Sequence, residues 1–339
     1  MSRVRSGNHA VLGTQSGGRL TEWLIVKLDL EKERAYLQDL SRRTGLVLLY
    51  HGLFGRVPSD LEQGLHNVSP EALYQQLEAI GRFFRFVTID EYCLSADRVG
   101  LATVTSDDGY RCVIEEGLPV FEALDVPAAL FVNRAFVSGG VFWRDKVRFL
   151  INRDLVQAFE QEHGQGLVRA SGQGFYRYTK DFRNNSRQVE TALDRFFTDH
   201  DIQPDLKQAY VSQGELVGHH PLLCFGSHTV SHYVLASLSA EEQAHQIEDN
   251  LGFLRSQNGL TVTDVLSVPF GERQDYNCAT VALAAEIGHS VLLLSEGRLE
   301  DSTNQGSTKL KVIDRVMPRG NSLMATLKKA EHKAAGSSY

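Results

Sequence analysis

The sequence predicts an α/β fold with a parallel sheet, and two patterns support this prediction. Short runs of apolar residues recur along the chain, as in Leu46–Tyr50 and Ala128–Val132, and such runs are typical of strands that helices cover on both faces. Between these runs lie segments whose Leu and Ile residues have helical spacing. Because strands and helices alternate, we expect a parallel sheet, either open or closed.

The order of the elements follows from the apolar runs and the capping signals. Strands are predicted at Leu46–Tyr50, Phe86–Ile89, Leu101–Thr105, Ala128–Val132, Leu222–Phe225, Val265–Val268 and Val291–Leu294. Ser69 followed by Pro70 predicts a helix start, because a capping hydroxyl precedes a proline at the first helical position. Ser239 and Glu242 have the spacing of a capping box and predict a second helix start.

Composition divides the chain into a main domain with additions. Residues 1–44 are predicted to be an N-terminal extension that packs on the main domain, with Leu37 and Leu40 on one helical face. The main domain is expected at 45–320 and a C-terminal tail at 321–339. The segment 143–221 is rich in Arg, Gln and Asn and interrupts the alternation, which indicates a helical insertion.

Charge and apolar content exclude several classes of protein. The 339 residues carry a net charge of −7 and are 42% hydrophobic, so a disordered chain is excluded and a nucleic-acid partner is not expected. No apolar run reaches about 18 residues, so no membrane span is predicted. The first residues contain no apolar segment typical of a signal peptide, which predicts a cytoplasmic protein. The four cysteines are widely spaced, which favours free thiols, and the oligomeric state is not defined by the sequence.

Three groups of residues follow predicted strands and can carry chemistry. They are Asp107-Asp108-Gly109, the histidines His228 and His232, and Pro269-Phe270-Gly271. Taken singly, the acids are equally typical of a helix cap, the histidines of a chance pair, and the third group of an ordinary turn. Because groups at the carboxyl ends of parallel strands converge on one face, we expect the three to meet there.

Together they predict a hydrolytic metal site. Histidines four residues apart lie on one face of a helical turn, and two imidazoles with one carboxylate suit Zn²⁺ or a similar divalent ion. A second carboxylate beside the ion can take a proton from water. A backbone N–H in the Pro-Phe-Gly loop can face a developing oxyanion.

The sequence resembles the polysaccharide deacetylase family with the NodB homology domain, in particular its exopolysaccharide-deacetylase branch. Thr105–Tyr110 resembles the family's T-F-D-D-G-Y motif, Ser227–His232 its S-H-[ST]-x-x-H motif, Ser267–Gly271 its Y-P-[FY]-G motif, and Tyr50-His51 the pair that ends the first strand. The resemblance runs from about Leu46 to Arg319, interrupted by 143–221.

The resemblance implies a distorted (β/α)₇-type barrel that hydrolyses the N-acetyl group of an amino sugar in a carbohydrate. It implies Asp107 as general base, a divalent metal, most commonly Zn²⁺, on three ligands, and the N–H of Phe270 at the oxyanion. The implied ligands are Asp108, His228 and His232, and the implied substrate-binding residues are His51, Tyr110 and Pro269. Aromatic residues of the insertion, Trp143, Phe175, Tyr176 and Tyr178, either stack on sugar rings or fill a local core.

The sequence departs from the family pattern at three points. Ser106 replaces the motif's Phe, the arginine that braces the catalytic Asp in many members is missing near Ser267, and no late L-x-H motif supplies a general acid. His289 is a poor substitute for that acid, which leaves Asp107 or His51 as proton donor. Two alternatives follow, a non-catalytic carbohydrate-binding relative and a metal hydrolase of an O-acetyl ester or another amide.

Overall fold

A parallel sheet that closes on itself forms the centre of the molecule. The computed structural model describes residues 31–216, 220–299, 310–320 and 323–335. Within them the strands are β1 (Leu46–Tyr50), β2 (Arg85–Phe86), β3 (Leu101–Ser106), β4 (Ala128–Val132), β5 (Leu223–Ser227), β6 (Val262–Ser267), β7 (Val291–Leu293) and β8 (Lys311–Ile313). Their order is β1-β3-β4-β5-β6-β7-β8, with β2 beside the start of β3.

Barrel closure depends on a single bridge. Leu48 in β1 pairs in parallel with Val316, which follows β8, and the N–H of Leu49 donates to the carbonyl of Val316 at 2.8 Å. Seven strands therefore form a ring, and the prediction of an α/β fold with a distorted (β/α)₇-type barrel is confirmed. β1, β3, β4 and β5 are buried along their whole length, as the apolar runs indicate.

Helices cover the outside of the barrel and form the insertion. They are α1 (31–41), α2 (Pro70–Gly81), α3 (Ile89–Leu94), α4 (Leu118–Leu124), α5 (Arg134–Val137), α6 (Trp143–Asn152), α7 (Val156–Glu162), α8 (Phe175–Tyr178), α9 (Ser186–Asp199), α10 (Gln213–Leu216), α11 (Ala240–Arg255), α12 (Cys278–Ile287) and α13 (Leu323–Ala335). Short 3₁₀ and π-helical turns occur at Lys207–Ala209, Leu235–Ser237 and Val113–Gly117.

Capping chemistry sets two helix starts where the sequence predicts them. The Ser69 side chain accepts from the N–H of Ala72 at the start of α2, with Pro70 at the first helical position. Ser239 and Glu242 exchange both hydrogen bonds of a capping box at the start of α11. Each cap pairs backbone groups that the first helical turn leaves without partners.

Two predicted elements differ from the structure. Ile89, predicted in a strand, begins helix α3 instead, because Thr88 caps that helix through the N–H of Glu91. β8 has no counterpart among the predicted strands, since two of its three residues are exposed and no apolar run marks it. The apolar patch Trp23–Val26 of the N-terminal extension lies outside the described residues.

Both ends of the described chain pack together on the barrel. Leu37 and Leu40 of α1 are buried, and Tyr36 donates a hydrogen bond to Glu331 of α13 at 2.9 Å. The segment 321–339 was expected to be a tail, but its residues Leu323–Ala335 form a helix with a buried apolar face. No helix of the described residues has the length and the apolar character needed to cross a membrane.

Candidate active site

The three motifs meet at the carboxyl ends of β3, β5 and β6. They line part of a cavity of about 920 Å³, whose other residues come from the segments that follow β1, β7 and β8, from the insertion and from α13. This placement is the one expected for parallel strands, whose carboxyl ends share one edge.

Asp108, His228 and His232 bring their ligand atoms together in the cavity floor. The three atoms lie within 4.8 Å of one another, and all three residues are buried. The Nε2 atoms of His228 and His232 are 3.6 and 3.3 Å from Oδ1 of Asp108. Oδ1 of Asp108 and Nε2 of His228 have no hydrogen-bond partner among the described residues. Buried polar atoms without partners are costly, and a divalent cation would satisfy both.

Hydrogen bonding and charge prepare the two histidines as ligands. Nδ1 of His228 lies 2.8 Å from the Ser267 carbonyl, so that nitrogen carries the proton and Nε2 offers its lone pair. Burial and the neighbouring His228 lower the pKa of His232 to about 4, which keeps its imidazole neutral at pH 7. Burial alone would raise the pKa of Asp108, but His228 and His232 hold it well below its usual range.

Strained backbone positions are concentrated in the motif loops. Only seven non-glycine residues in the described chain have positive φ, and four of them belong to the motifs: Asp108, Thr229, His232 and Phe270. Thr229 and His232, with φ of 67° and 56°, cannot be part of a right-handed helix. The expectation that the two histidines lie on one helical turn is therefore wrong. An irregular loop brings them together, with the side-chain amide of Asn133 donating to the carbonyls of His228 and Thr229.

Arg315 braces Asp107, although the arginine expected from the family motif is absent near Ser267. Its Nη1 and Nη2 atoms donate to the two carboxylate oxygens at 2.8 and 2.7 Å, and its side chain is fully buried. Ser267, near which the family motif is expected to have its arginine, donates to Oδ2 of Asp107 at 2.9 Å. Burial would raise the pKa of Asp107, but Arg315 and then His228 lower it, so the carboxylate is ionised at neutral pH.

Aromatic residues enclose His232, one of the three candidate ligands. The ring centroids of Phe142 and Phe270 lie 4.7 and 4.6 Å from that of His232, and the indole N–H of Trp143 donates to the His232 carbonyl at 3.0 Å. The N–H of Phe270 makes no hydrogen bond to any described residue. Helix α6 of the insertion thus begins directly against the loop that carries His232.

The other aromatic residues of the insertion have different environments. Phe175 and Tyr178 are buried, and Phe175 packs edge-to-face on Phe159 and Tyr178 in a small local core. Tyr176 instead lines the cavity. Trp143, Phe175 and Tyr178 are therefore core residues. Of the four aromatic residues, Tyr176 is the one that a ligand in the cavity could contact.

Of the three predicted substrate-binding residues, one lines the cavity and two do not. His51 lines the cavity and contacts a residue that sequence reasoning missed, His66, with ring centroids 5.4 Å apart. Burial and then His51 lower the pKa of His66 to about 3, and its Nε2 lies 2.6 Å from the Pro318 carbonyl. No motif in the sequence singles out His66.

Tyr110 and Pro269 do not line the cavity. Tyr110 is fully buried and donates its hydroxyl proton to Asp145 at 2.9 Å, so its predicted contact with substrate finds no support in this placement. Ser106, which replaces the motif's Phe, has its hydroxyl 3.4 Å from the His51 carbonyl and so lies against the end of β1.

Known proteins with similar folds were found among solved structures. They include the deacetylase PplD of Streptococcus pyogenes in complex with acetate, at 16% identity over 81% of this chain and 92% of that one, with a TM-score of 0.48. IcaB from Ammonifex degensii is 16% identical over 81% and 93%, with a TM-score of 0.48. The de-N-acetylase from Aggregatibacter actinomycetemcomitans is 11% identical over 84% and 99%, with a TM-score of 0.49. No protein-family sequence profile and no curated protein matches the chain.

Proposed function

We propose that this chain is a metal-dependent carbohydrate de-N-acetylase of the polysaccharide deacetylase family. The proposal rests mainly on one observation: an Asp-His-His group with unpartnered ligand atoms lies beside a second carboxylate that an arginine clamps. The motif order and the closed barrel support the same family.

Asp108, His228 and His232 would hold the cation, and Zn²⁺ is the ion that two imidazoles and one carboxylate favour. Three protein ligands leave a position open for a substrate oxygen or for water. When bound, the ion supplies Lewis acidity toward a water molecule and toward the acetyl carbonyl.

The protein's own groups complete the hydrolysis. Asp107 accepts a proton from the attacking water as the new C–O bond forms, while Ser267 and Arg315 hold the carboxylate in place. The free N–H of Phe270 is available to the oxyanion that develops on the acetyl group. The C–N bond then breaks, acetate leaves, and the amine takes up one proton.

Asp107 is the better donor of that proton, compared with His51. Burial lowers the pKa of His51, an effect that Asp108 and Asp107 only partly offset, so its imidazole is neutral and holds no spare proton at pH 7. Asp107 carries the proton that it has just accepted. Because Arg315 makes its protonated form a stronger acid, transfer onward to the amine is favourable.

Metal content and acetate release together test the proposal. We expect about one divalent ion per chain, lost in Asp108→Asn/His228→Gln and retained in His245→Gln, a control on an exposed histidine of α11. Asp107→Asn should keep the ion and lower kcat on N-acetylglucosamine oligomers by about 10²–10⁴, the range of general acid–base effects. His51→Gln should lower kcat by less than about tenfold.

The alternatives predict different results. Absence of an ion in the wild-type chain after Zn²⁺ is added would refute the metal site. An ion without acetate release would favour a binding protein, and faster release from O-acetyl than from N-acetyl sugars would favour an esterase. If His51→Gln were as damaging as Asp107→Asn, His51 would be the proton donor.

A further inference from the structure

The cavity around the metal site has the opposite charge to the chain as a whole. Seven Lys and Arg residues line it, against four acidic residues, although the chain carries a net charge of −7. Two of the four acids, Asp107 and Asp108, belong to the metal site, and Arg315 neutralises the first. Outside the metal site, seven cations therefore face two carboxylates, Glu272 and Glu296.

Three of these cations form a cluster contributed by the insertion: Arg144, Arg148 and Lys180. Cζ of Arg144 lies 4.1 Å and Cζ of Arg148 lies 5.5 Å from the centre of the Tyr176 ring. Nζ of Lys180 lies 4.7 Å from the centre of the Phe270 ring, and that ring contacts His232. One aromatic side chain thus separates the cationic cluster from a metal ligand.

Two buried carboxylates, Asp145 and Asp275, act on this cluster of three cations, so positive charge is in excess. Asp145 pairs with Arg148, but neither Arg144 nor Lys180 forms an ion pair with any described carboxylate. Arg144 is fully buried, donates to Thr179 and to the Tyr176 carbonyl, and leaves its Nε without a partner. A buried cation without a counter-ion is unfavourable, so a bound anion would stabilise this arrangement.

We propose that Arg144, Arg148 and Lys180 bind an anionic group, a phosphate or a carboxylate, carried by the glycan close to its acetylated sugar. This inference rests on the proposed function and narrows the substrate to an acidic glycan. Planar guanidinium groups donate paired hydrogen bonds to phosphate and carboxylate oxygens. Arg273, Arg298 and Arg319, farther out on the cavity wall, extend the positive field toward the solvent.

Lys180 is the residue to test, because it is half-buried and its side chain makes no hydrogen bond to any described residue. Its matched control is Arg177, an exposed residue of the same segment that does not line the cavity. Lys180→Gln and Arg177→Gln each remove one positive charge, at positions three residues apart. Both are made in the full-length, metal-loaded chain carrying Asp107→Asn, so that the probes are bound and not consumed.

Binding is measured by calorimetry with four probes. N-acetylglucosamine 1-phosphate is compared with N-acetylglucosamine, and a hyaluronan tetrasaccharide, which carries carboxylates, is compared with neutral chitotetraose. We expect at least one anionic probe to bind about tenfold more tightly than its neutral partner. Lys180→Gln should remove most of that preference, Arg177→Gln should keep it, and raising NaCl from 50 to 500 mM should weaken the anionic probe selectively. The probe that is preferred distinguishes phosphate from carboxylate.

The inference is overturned if neither anionic probe is preferred, including the case in which no probe binds at 10 mM, or if both variants weaken binding equally. Its failure is distinguishable from failure of the proposed function. Acetate release from neutral and acidic glycans at equal kcat/KM would keep the deacetylase and refute the acidic substrate. Selective binding of an anionic probe without any acetate release would keep the anion site and refute the deacetylase.

Discussion

Replacing Arg315 with Met should strongly destabilise the chain, because it leaves Asp107 charged and buried without a counter-ion. Both side chains are almost completely inaccessible to solvent, at 0% and 3% exposure. Removing one partner of a buried ion pair costs about 3–5 kcal/mol. The loss of the hydrogen bonds from Arg315 to the Leu294 carbonyl and to Ser267 acts in the same direction. For a protein whose unfolding free energy is about 5–15 kcal/mol, this is a large fraction.

A second substitution separates the charge effect from lost packing. Asn at position 107 keeps the shape of the carboxylate without its charge, so Arg315→Met/Asp107→Asn should recover most of the lost unfolding free energy. Arg298→Met is the control. The Arg298 side chain is 45% exposed and pairs with Glu296, which is 16% exposed. Loss of this ion pair should cost less than about 1 kcal/mol. Urea unfolding of metal-loaded and chelator-treated protein gives the free energies. If Arg315→Met is as stable as wild type, or the double variant is no more stable than the single one, the assignment of Arg315 as the charge partner of Asp107 is refuted.

Three further predictions concern the stability of the folded chain. Burial raises the pKa of Asp275 to about 6, above its unfolded value. The folded state therefore binds this proton more tightly, and stability should fall as pH rises from about 4 to 6. Asp275→Asn should remove this loss and gain about 1–3 kcal/mol at pH 7 but nothing at pH 4, and an equal effect at both pH values would contradict it. Gly226→Ala should destabilise the chain by about 1–3 kcal/mol, because the added Cβ would lie 2.3 Å from the Phe131 ring in the neighbouring strand. Gly252→Ala, in α11 with no atom within 4 Å of the added Cβ, should instead stabilise by about 0.5–1 kcal/mol, and thermal melts that rank the two in the opposite order would refute the packing argument.

The elements that sequence reasoning identifies are those whose signal is local. The strand Leu46–Tyr50 is marked by its own apolar residues, and the helix beginning at Ala240 by the Ser239 cap. Two of the proposed metal ligands, Asp108 and His228, are also found in this way, because they closely follow the buried strands β3 and β5. The long sequence separation between Asp108 and His228 does not prevent this, because the carboxyl ends of parallel strands lie at one edge of the sheet.

Arg315 and His66 lack such a signal. Arg315 contacts Asp107 across 208 positions of sequence, and it does so only because Val316 bridges to β1 and closes the barrel. Closure depends on a three-residue strand with two exposed residues, which no pattern of hydrophobicity reveals. His66 reaches the cavity from the loop between β1 and α2, where the Gly52–Asn67 bridge holds it.

The position of Arg315 changes how the departure from the family motif is understood. The motif arginine is absent near Ser267, yet Ser267 and Arg315 contact each other and the same carboxylate oxygen of Asp107, at 2.9 and 2.7 Å. A small residue at position 267 leaves room for the guanidinium of Arg315, which reaches Asp107 from the segment that follows β8. The carboxylate thus keeps a cationic partner, although that partner comes from the segment that follows β8. An arginine introduced at position 267 would place two guanidinium groups in one buried site, so Ser267→Arg should destabilise the chain unless Arg315 is shortened at the same time.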